Sequence, residues 1–412
     1  MFNKIERFYE PINILDTIEH NGYAGMSKND LGFLCGCIKR FKPKKIVEVG
    51  VSAGGTMAVI MESCRILGID SEIFSVDISK QWYQNTEKNT GYVVEILKQR
   101  EEFRNVNHTF LLGETLGSAI EKIGQSIDLI ILDTMHSLPG ELLDFISAAN
   151  WLNEQAVVVF HDVGQCQLGI ESMKGKPFEY ASLVTFSCLR GEKYWNWDEM
   201  NYFDLANIAA VQLKEDFLND IDNLFSALFI NWDYIPDKKS LEEYRNRIEK
   251  DYGKKYLQIF EQSLKCNIYS LYKRGGLHIP IKKAKKELDF VIENAREIYV
   301  YGAGKIASQV KKYIETKNRK VAGYITSTDC GISSLQLRDN NAIIFLGLDE
   351  KYHWDVLQLI VEHNLENNVY PNFGIGFREM LTVIEQELDG LDIYNNNGYE
   401  HNIVLAANQE VK

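Results

Sequence analysis

The hydrophobic positions of the first 164 residues alternate between two rhythms. Short β-branched runs are separated by stretches whose apolar residues recur every three to four positions. That is the pattern of a parallel sheet with crossover helices. Ser27 and Asp30 make a capping box. Leu31, Leu34, Cys35 and Ile38 follow at helical spacing, and Pro43 ends the helix. Lys45–Gly50 (KIVEVG) reads as a buried strand, Gly55–Leu67 as a helix and Ile73–Asp77 (IFSVD) as the next strand. Tyr92–Glu101 is helical and Thr109–Leu112 a strand. Asp128–Asp133 (DLIILD) and Ala156–His161 (AVVVFH) are two more, with a helix over Leu142–Leu152 between them.

Beyond about Gln165 the rhythm changes. Ala181–Leu189 and Lys193–Trp197 flank Arg190-Gly191-Glu192 and predict a β-hairpin. Helices rich in Leu, Phe and Tyr follow, to about Leu277. Tyr194, Trp195, Trp197 and Trp232 concentrate here. They read as core or as contact between copies of the chain, which leaves a homo-oligomer open. Lys273-Arg274-Gly275-Gly276 reads as a linker. Lys282, Lys283, Lys285 and Lys286 read as the solvated face of the next helix. A second, smaller α/β unit follows, with strands at Glu297–Tyr301, Val321–Ile325 and Ala342–Leu346. Its helices run from Gly304 to about Thr316 and over Trp354–His363. The expected organisation is an α/β domain over 1–200 with a helical lead-in over 1–43, a helical connecting region over 201–290, and a second α/β domain over 291–412.

Composition narrows the class. Of 412 residues, 45% are apolar and 25% charged, the balance of a globular protein rather than a disordered or fibrous chain. No run approaches about 18 apolar residues, so no membrane span is expected. The opening MFNKIERFYE lacks a basic stretch followed by an apolar core, the form of a secretory signal. The seven cysteines are scattered. Cys35 and Cys37 are one residue apart, which is not zinc-ligand spacing, so reduced thiols in the cytoplasm are expected. A net charge of −13, from 45 Lys+Arg against 58 Asp+Glu, makes nucleic acid a poor partner.

The strongest chemical signal is Glu48-Val49-Gly50-Val51-Ser52-Ala53-Gly54-Gly55, where a strand passes into a helix. Glycine there lets the backbone approach a ligand, and the helix start offers free N–H groups. Asp77 ends the next strand, 23 residues beyond Gly54, in position to bind two ribose hydroxyls outside the carboxyl ends of the strands. The pattern alone suits a dinucleotide or an adenosyl cofactor. Plain tight packing of the turn is the competing structural reading, and Asp77 in register weakens it.

Glu48-x-Gly50-x-x-x-Gly54-Gly55, Asp77, Asp133-x-x-His136 and His161-Asp162 occur in the order found in the class I S-adenosylmethionine-dependent methyltransferases, which residues 27–164 resemble. The branch is that of bacterial sugar and antibiotic O-methyltransferases and cephalosporin-hydroxylase-like proteins. Ser52 stands where many methyltransferases carry a middle glycine. The resemblance implies a Rossmann-like sheet and S-adenosylmethionine as cofactor. It implies Glu48, Gly50, Ser52, Gly54 and Gly55 at the methionine part, Asp77 at the ribose, Gly113 and Glu114 flanking the adenine, and Asp133 at the transfer site. It also implies transfer to a hydroxyl of a small-molecule or glycan-precursor acceptor.

His161, Asp133, Asp162 and His136 are the catalytic candidates, each following an apolar run. A histidine suits removal of the acceptor proton near neutral pH, and a carboxylate beside it fixes its tautomer. A second mechanism has Asp133, His161 and Asp162 binding Mg²⁺, as some sugar O-methyltransferases do. His161 is a softer ligand than Mg²⁺ favours. The structural alternative is that His161 and Asp162 merely satisfy backbone groups at the strand end.

Gly302-Ala303-Gly304-Lys305-Ile306-Ala307 has the shape of a dinucleotide fingerprint. The strand after it meets Thr326 and only later Asp329, so the acid that would hold an NAD ribose is missing. The segment resembles small Rossmann-like domains appended to bacterial surface-glycan enzymes. Structural packing is its expected role, with NAD-dependent oxidoreduction or a non-catalytic scaffold as the competing functions.

Overall fold

Ser27 caps the first long helix as its sequence requires. Its hydroxyl accepts from Asp30 N while Asp30 returns a bond to Ser27 N, and helix α1 (Lys28–Phe41) buries Leu31, Leu34, Cys35 and Ile38. The computed structural model describes residues 2–18, 24–164, 180–200, 206–273, 281–326, 342–363, 365, 368–371 and 376–395. The chain divides into two compact units, Met1–Leu271 and Tyr272–Lys412. The helical region expected over 201–290 is thus divided at Leu271.

In the first unit the strands are β1 (Lys45–Val49), β2 (Glu72–Asp77), β3 (His108–Leu112), β4 (Ile127–Leu132), β5 (Leu152–His161), β6 (Gly191–Tyr194) and β7 (Ile208–Leu213). They form one mixed sheet in the order β3-β2-β1-β4-β5-β7-β6. β1 to β5 are parallel, and β7 pairs antiparallel with both β5 and β6. This is the α/β fold with a mixed seven-stranded sheet that the class I methyltransferase resemblance implies. Helix α2 (Gly55–Leu67) follows β1, α3 (Tyr92–Leu97) precedes β3, α4 (Leu116–Ile123) follows it, and α5 (Gly140–Ala148) precedes β5. Ile46, Val47, Ile130 and Ile131 are fully buried, as central parallel strands covered on both faces require. Removing each such side chain from water stabilises the fold by about 1.5–3 kcal/mol.

Register places the site. Val49 pairs with Val76 and with Leu132, Leu132 with Phe160, and Asp77 with Leu112. Gly50, Asp77, Gly113, Asp133 and His161 therefore share one edge of the sheet. β1 and β4 are neighbours at the point where the strand order reverses, the place where such sheets bind ligands.

The hairpin expected over 181–197 is not formed. Ala181–Cys188 is helix α6, burying Ala181, Ser182, Thr185 and Phe186 at helical spacing, with Thr185 Oγ1 donating to Ala181 O at 2.8 Å. Gly191 opens strand β6 instead of a turn. A Cβ there would lie 2.1 Å from Gln212 O, so glycine is what lets β7 approach. The helix expected over 92–101 stops at Leu97, and the one expected over 142–152 runs over 140–148. The unit closes with α7 (Ile221–Ala227), α8 (Lys238–Tyr252) and α9 (Lys254–Lys273). Cys35, Cys37 and Cys64 are buried free thiols, and burial pushes Cys35 up to about 12.

The second unit holds α10 (Ile281–Asn294), β8 (Glu297–Tyr301), α11 (Lys305–Thr316), β9 (Gly323–Ile325), β10 (Ala342–Leu346), α12 (His353–Glu362), β11 (Val369–Tyr370) and α13 (Phe377–Asn395). Its strands form an all-parallel sheet in the order β11-β10-β8-β9. Lys282, Lys283 and Lys286 of α10 are exposed, and Lys285 pairs with Glu387. Arg274, Gly275 and Gly276 of the expected linker, and Asp329, lie outside the described residues. Among the described residues no helix is long and apolar enough to cross a membrane.

Candidate active site

The glycine turn is built by its neighbours. Gly50 has φ +92, and a Cβ there would sit 1.8 Å from Asp133 O, so the β1 and β4 ends meet only over a glycine. Gly54 caps α2 with φ +91. Ser52 between them is also left-handed, at φ +52. Asp77 Oδ2 accepts from Val51 N at 2.9 Å and Ser52 N at 3.3 Å, and Oδ1 accepts from Ser79 N at 2.8 Å. The acid expected at the ribose thus also orders the turn, and Oδ1, which accepts one bond, keeps a lone pair for a hydroxyl.

The other cofactor candidates fall in different places. Glu48 is 1% exposed beneath the turn, and its Oε2 accepts from Ser75 Oγ at 3.3 Å. Burial first, and then Asp133, raise its pKa well above the usual carboxylate range. Gly113 follows β3 beside Asp77, to whose carbonyl its N–H donates at 2.8 Å. Glu114 is turned to Lys122, 2.5 Å away.

The four polar strand-end residues come together. Asp133 N donates to Val49 O at 3.0 Å, tying it to the turn. His161 Nδ1 donates to Asp133 Oδ1 at 3.0 Å and lies 3.1 Å from Asp162 Oδ2, while its Nε2 is 3.6 Å from Asp30 Oδ2. His136 Nδ1 stands 2.9 Å from Asp162 Oδ2, 3.5 Å from Glu141 Oε1 and 4.0 Å from Asp133 Oδ1, yet makes no aligned hydrogen bond among the described residues. His136 and Asp162 have φ +59 and +60, local strain of the kind held at functional sites by surrounding contacts. Glu141 Oε1 accepts from His136 N at 2.7 Å and Thr134 N at 3.2 Å, and Asn207 Nδ2 donates to Asp162 Oδ1 at 2.5 Å.

These carboxylates set the charge state. Burial would lower the His161 pKa, but Asp133, Asp162 and Asp30 outweigh it and hold the ring well above the usual histidine range. Burial opposes the charge on His136 too, and Asp162 and Glu141 carry it up to about 11. The same two imidazoliums overcome burial at Asp162 and hold it well below the carboxylate range. The surrounding carboxylates thus favour the charged form of both rings over the neutral one. Ligand atoms of Asp133, His136 and Asp162 converge within 4.8 Å of one another. The histidine in that set is His136, not the His161 expected from the sequence, whose two ring nitrogens already face Asp133 and Asp30.

Asp30, Glu141, Asn207 and Thr134 were not singled out for the site from the sequence. Asp30 was legible only as a cap. Glu141 had a signal, being an acid in the apolar run around Leu142 and Leu143, where burial demands a partner. Asn207 precedes β7, a strand not anticipated.

Solved structures similar to this chain share little sequence. The O-methyltransferase from Bacillus cereus in complex with SAH is 14% identical, over 49% of this chain and 89% of that one, with a TM-score of 0.35. The O-methyltransferase TomG from Streptomyces achromogenes, in complex with SAM, is 11% identical over 50% and 88%, with a TM-score of 0.34. The SAH-bound methyltransferase PaMTH1 from Podospora anserina is 14% identical over 50% and 86%, also with a TM-score of 0.34. No curated protein matches the chain. Residues 47–163, which hold the glycine turn, Asp77, Asp133, His136, His161 and Asp162, match the family model described as a methyltransferase domain: over that stretch the chain carries a methyltransferase domain.

Proposed function

We propose that the first unit is an S-adenosylmethionine-dependent O-methyltransferase acting on a hydroxyl of a sugar or glycan precursor. The observation that carries this reading is the union, at one sheet edge, of a turn ordered by Asp77 with the Asp133–His136–His161–Asp162 cluster, joined through Gly50 and Asp133. The residues fit the cofactor: Asp77 retains acceptor capacity for ribose, and the N-terminus of α2 offers N–H groups to a carboxylate. Ile78 and Met135, 61% and 56% exposed on the loops flanking the turn, offer apolar ground for adenine and acceptor. When bound, S-adenosylmethionine supplies a methyl group on an electrophilic sulfonium.

This chain's residues then align and discharge. Alignment of donor and acceptor is worth much of the barrier in an in-line displacement. Asp133, half-buried just after β4, accepts the acceptor's hydroxyl proton. His161 behind it stays protonated and stabilises the carboxylate. Support for a sugar acceptor is the family resemblance, together with several acceptors and donors set side by side for neighbouring hydroxyls.

A second reading is favoured by His136 Nδ1, buried and without an aligned hydrogen bond beside two carboxylates. Asp133, His136 and Asp162 would hold a divalent cation, which would make a bound hydroxyl more acidic. A set of one imidazole and two carboxylates suits Mn²⁺, Fe²⁺ or Zn²⁺ better than Mg²⁺. The second unit is read as a Rossmann-like accessory domain.

Calorimetric titration of the full chain with S-adenosylhomocysteine and with NAD, side by side, tests the reading. Binding of S-adenosylhomocysteine alone is expected. Stoichiometric NAD binding with no S-adenosylhomocysteine binding would replace it with the oxidoreductase alternative. Mn²⁺ titration of wild type and His136→Ala separates the two mechanisms.

A further inference from the structure

The segment between Asp77 and Gly91 leaves the ribose acid and returns to the glycine turn, and it is bonded to both. At its start Ser79 N donates to Asp77 Oδ1 at 2.8 Å. At its end Gly91 N donates to Ser52 O at 2.9 Å, and Val93 N donates to Ala53 O at 3.0 Å. Gly91 packs so closely on the turn that a Cβ at Gly54 would be 2.9 Å from Gly91 Cα. The segment closes on itself through Trp82 N to Lys88 O at 2.9 Å and Thr90 N to Lys80 O at 3.1 Å. From its middle, the Trp82 indole Nε1 donates to Ser52 Oγ at 3.1 Å. The Trp82 ring is half-buried, 5.4 Å from the Tyr92 ring, and Lys88 Nζ lies 4.1 Å from the Tyr92 centroid.

Ser52 is the residue of the turn whose backbone is least at ease. It holds φ +52 with a side chain that disfavours that region, where the flanking Gly50 and Gly54 carry no such penalty. Only while Ser52 stays there does its N–H reach Asp77 Oδ2. The indole bond fixes the side chain that would otherwise draw the residue to an ordinary basin.

We propose that Trp82 is a positioning residue for the cofactor: through Ser52 Oγ it locks the turn and Asp77 in the arrangement that receives S-adenosylmethionine. This rests on the cofactor reading above. It also makes Trp82 a reporter, since its indole lies against the turn that the ligand covers.

The test is a double-mutant cycle on the full-length protein, read by S-adenosylhomocysteine calorimetry and tryptophan fluorescence. Trp82→Phe keeps the ring and removes the donor. Ser52→Gly removes the hydroxyl while accepting φ +52 without strain. Each is expected to raise Kd about five- to tenfold, the weight of one hydrogen bond. The double variant should bind no more weakly than the weaker single, because both remove the same bond. Ligand should change the emission of wild type, with that change lost in Trp82→Phe. Unchanged Kd in both singles, even with lower melting temperatures, would make the bond purely structural and overturn the proposal. Additive losses would overturn it as well. Absence of S-adenosylhomocysteine binding by wild type is a separate outcome, which overturns the cofactor reading and this inference with it.

Discussion

Asp77 is the residue on which the cofactor reading can be put at most risk. Its carboxylate accepts three backbone N–H bonds, from Val51 at 2.9 Å, Ser79 at 2.8 Å and Ser52 at 3.3 Å. It would also accept ribose hydroxyls. Asp77→Ala removes both functions at once, so a loss of binding there would be ambiguous. Asp77→Asn separates them. The amide oxygen can still accept from Val51 and Ser52, and the NH₂ turns toward Ser79, so the turn loses one bond of three. The hydroxyls lose a charged acceptor, and a hydrogen bond to a charged group is worth about 1.5–3 kcal/mol. The expected fall in S-adenosylhomocysteine affinity is therefore about 10- to 150-fold. Calorimetry on a variant whose circular dichroism and melting match wild type is the assay. Undiminished affinity in folded Asp77→Asn would refute the ribose assignment. Asp77→Ala should bind at least as weakly and melt lower, because three N–H groups lose their acceptor.

The charge state of the histidines predicts that turnover shows no limb near pH 6.5, since His136 is carried to about 11 and His161 is also raised; a pH–rate profile with such a limb would restore a neutral histidine base. His161→Ala should leave S-adenosylhomocysteine affinity nearly intact while turnover on an accepted hydroxyl falls about 10- to 150-fold, the weight of the charged hydrogen bond that orients Asp133, and equal turnover would make the strand-five end structural. Asp144, buried and pushed up to about 7 by desolvation and then by Glu141, binds a proton in the folded state that the unfolded chain has released above about pH 4. Stability should therefore fall between about pH 4 and 7 by on the order of 2–4 kcal/mol, and Asp144→Asn should flatten that fall in thermal melts across the range. In the second unit Gly302→Ala places a Cβ 2.8 Å from Gly347 O at φ +107, so its melting should drop by the equivalent of about 1–3 kcal/mol; a variant that melts like wild type would show that the turn relaxes.

Much of the site was legible because parallel strands buried on both faces need unbroken apolar runs, and such runs end where polar chemistry begins. That local rule found Gly50, Asp77, Asp133 and His161 at strand ends, and it found the Ser27–Asp30 cap, which depends on residues three apart. It failed at Ala181–Cys188, where a short run of β-branched and small residues has no strong preference and packing decides. It failed again at β7, whose role depends on finding β5 and β6 rather than on its own pattern. The spacing of residues along the chain thus determined which side chains stand at the ends of strands. Only the tertiary structure decided that β1 lies beside β4, so that Asp133 rests on Gly50, and that His136 converges with Asp133 and Asp162 on a candidate cation position. It alone brought Asp30 and Glu141 to the histidines, whose charged forms they favour, and Asn207 to Asp162. The physical reason is that periodicity is a property of neighbours in sequence, whereas strand order and the field around a buried histidine are sums over residues that meet only when the chain has folded.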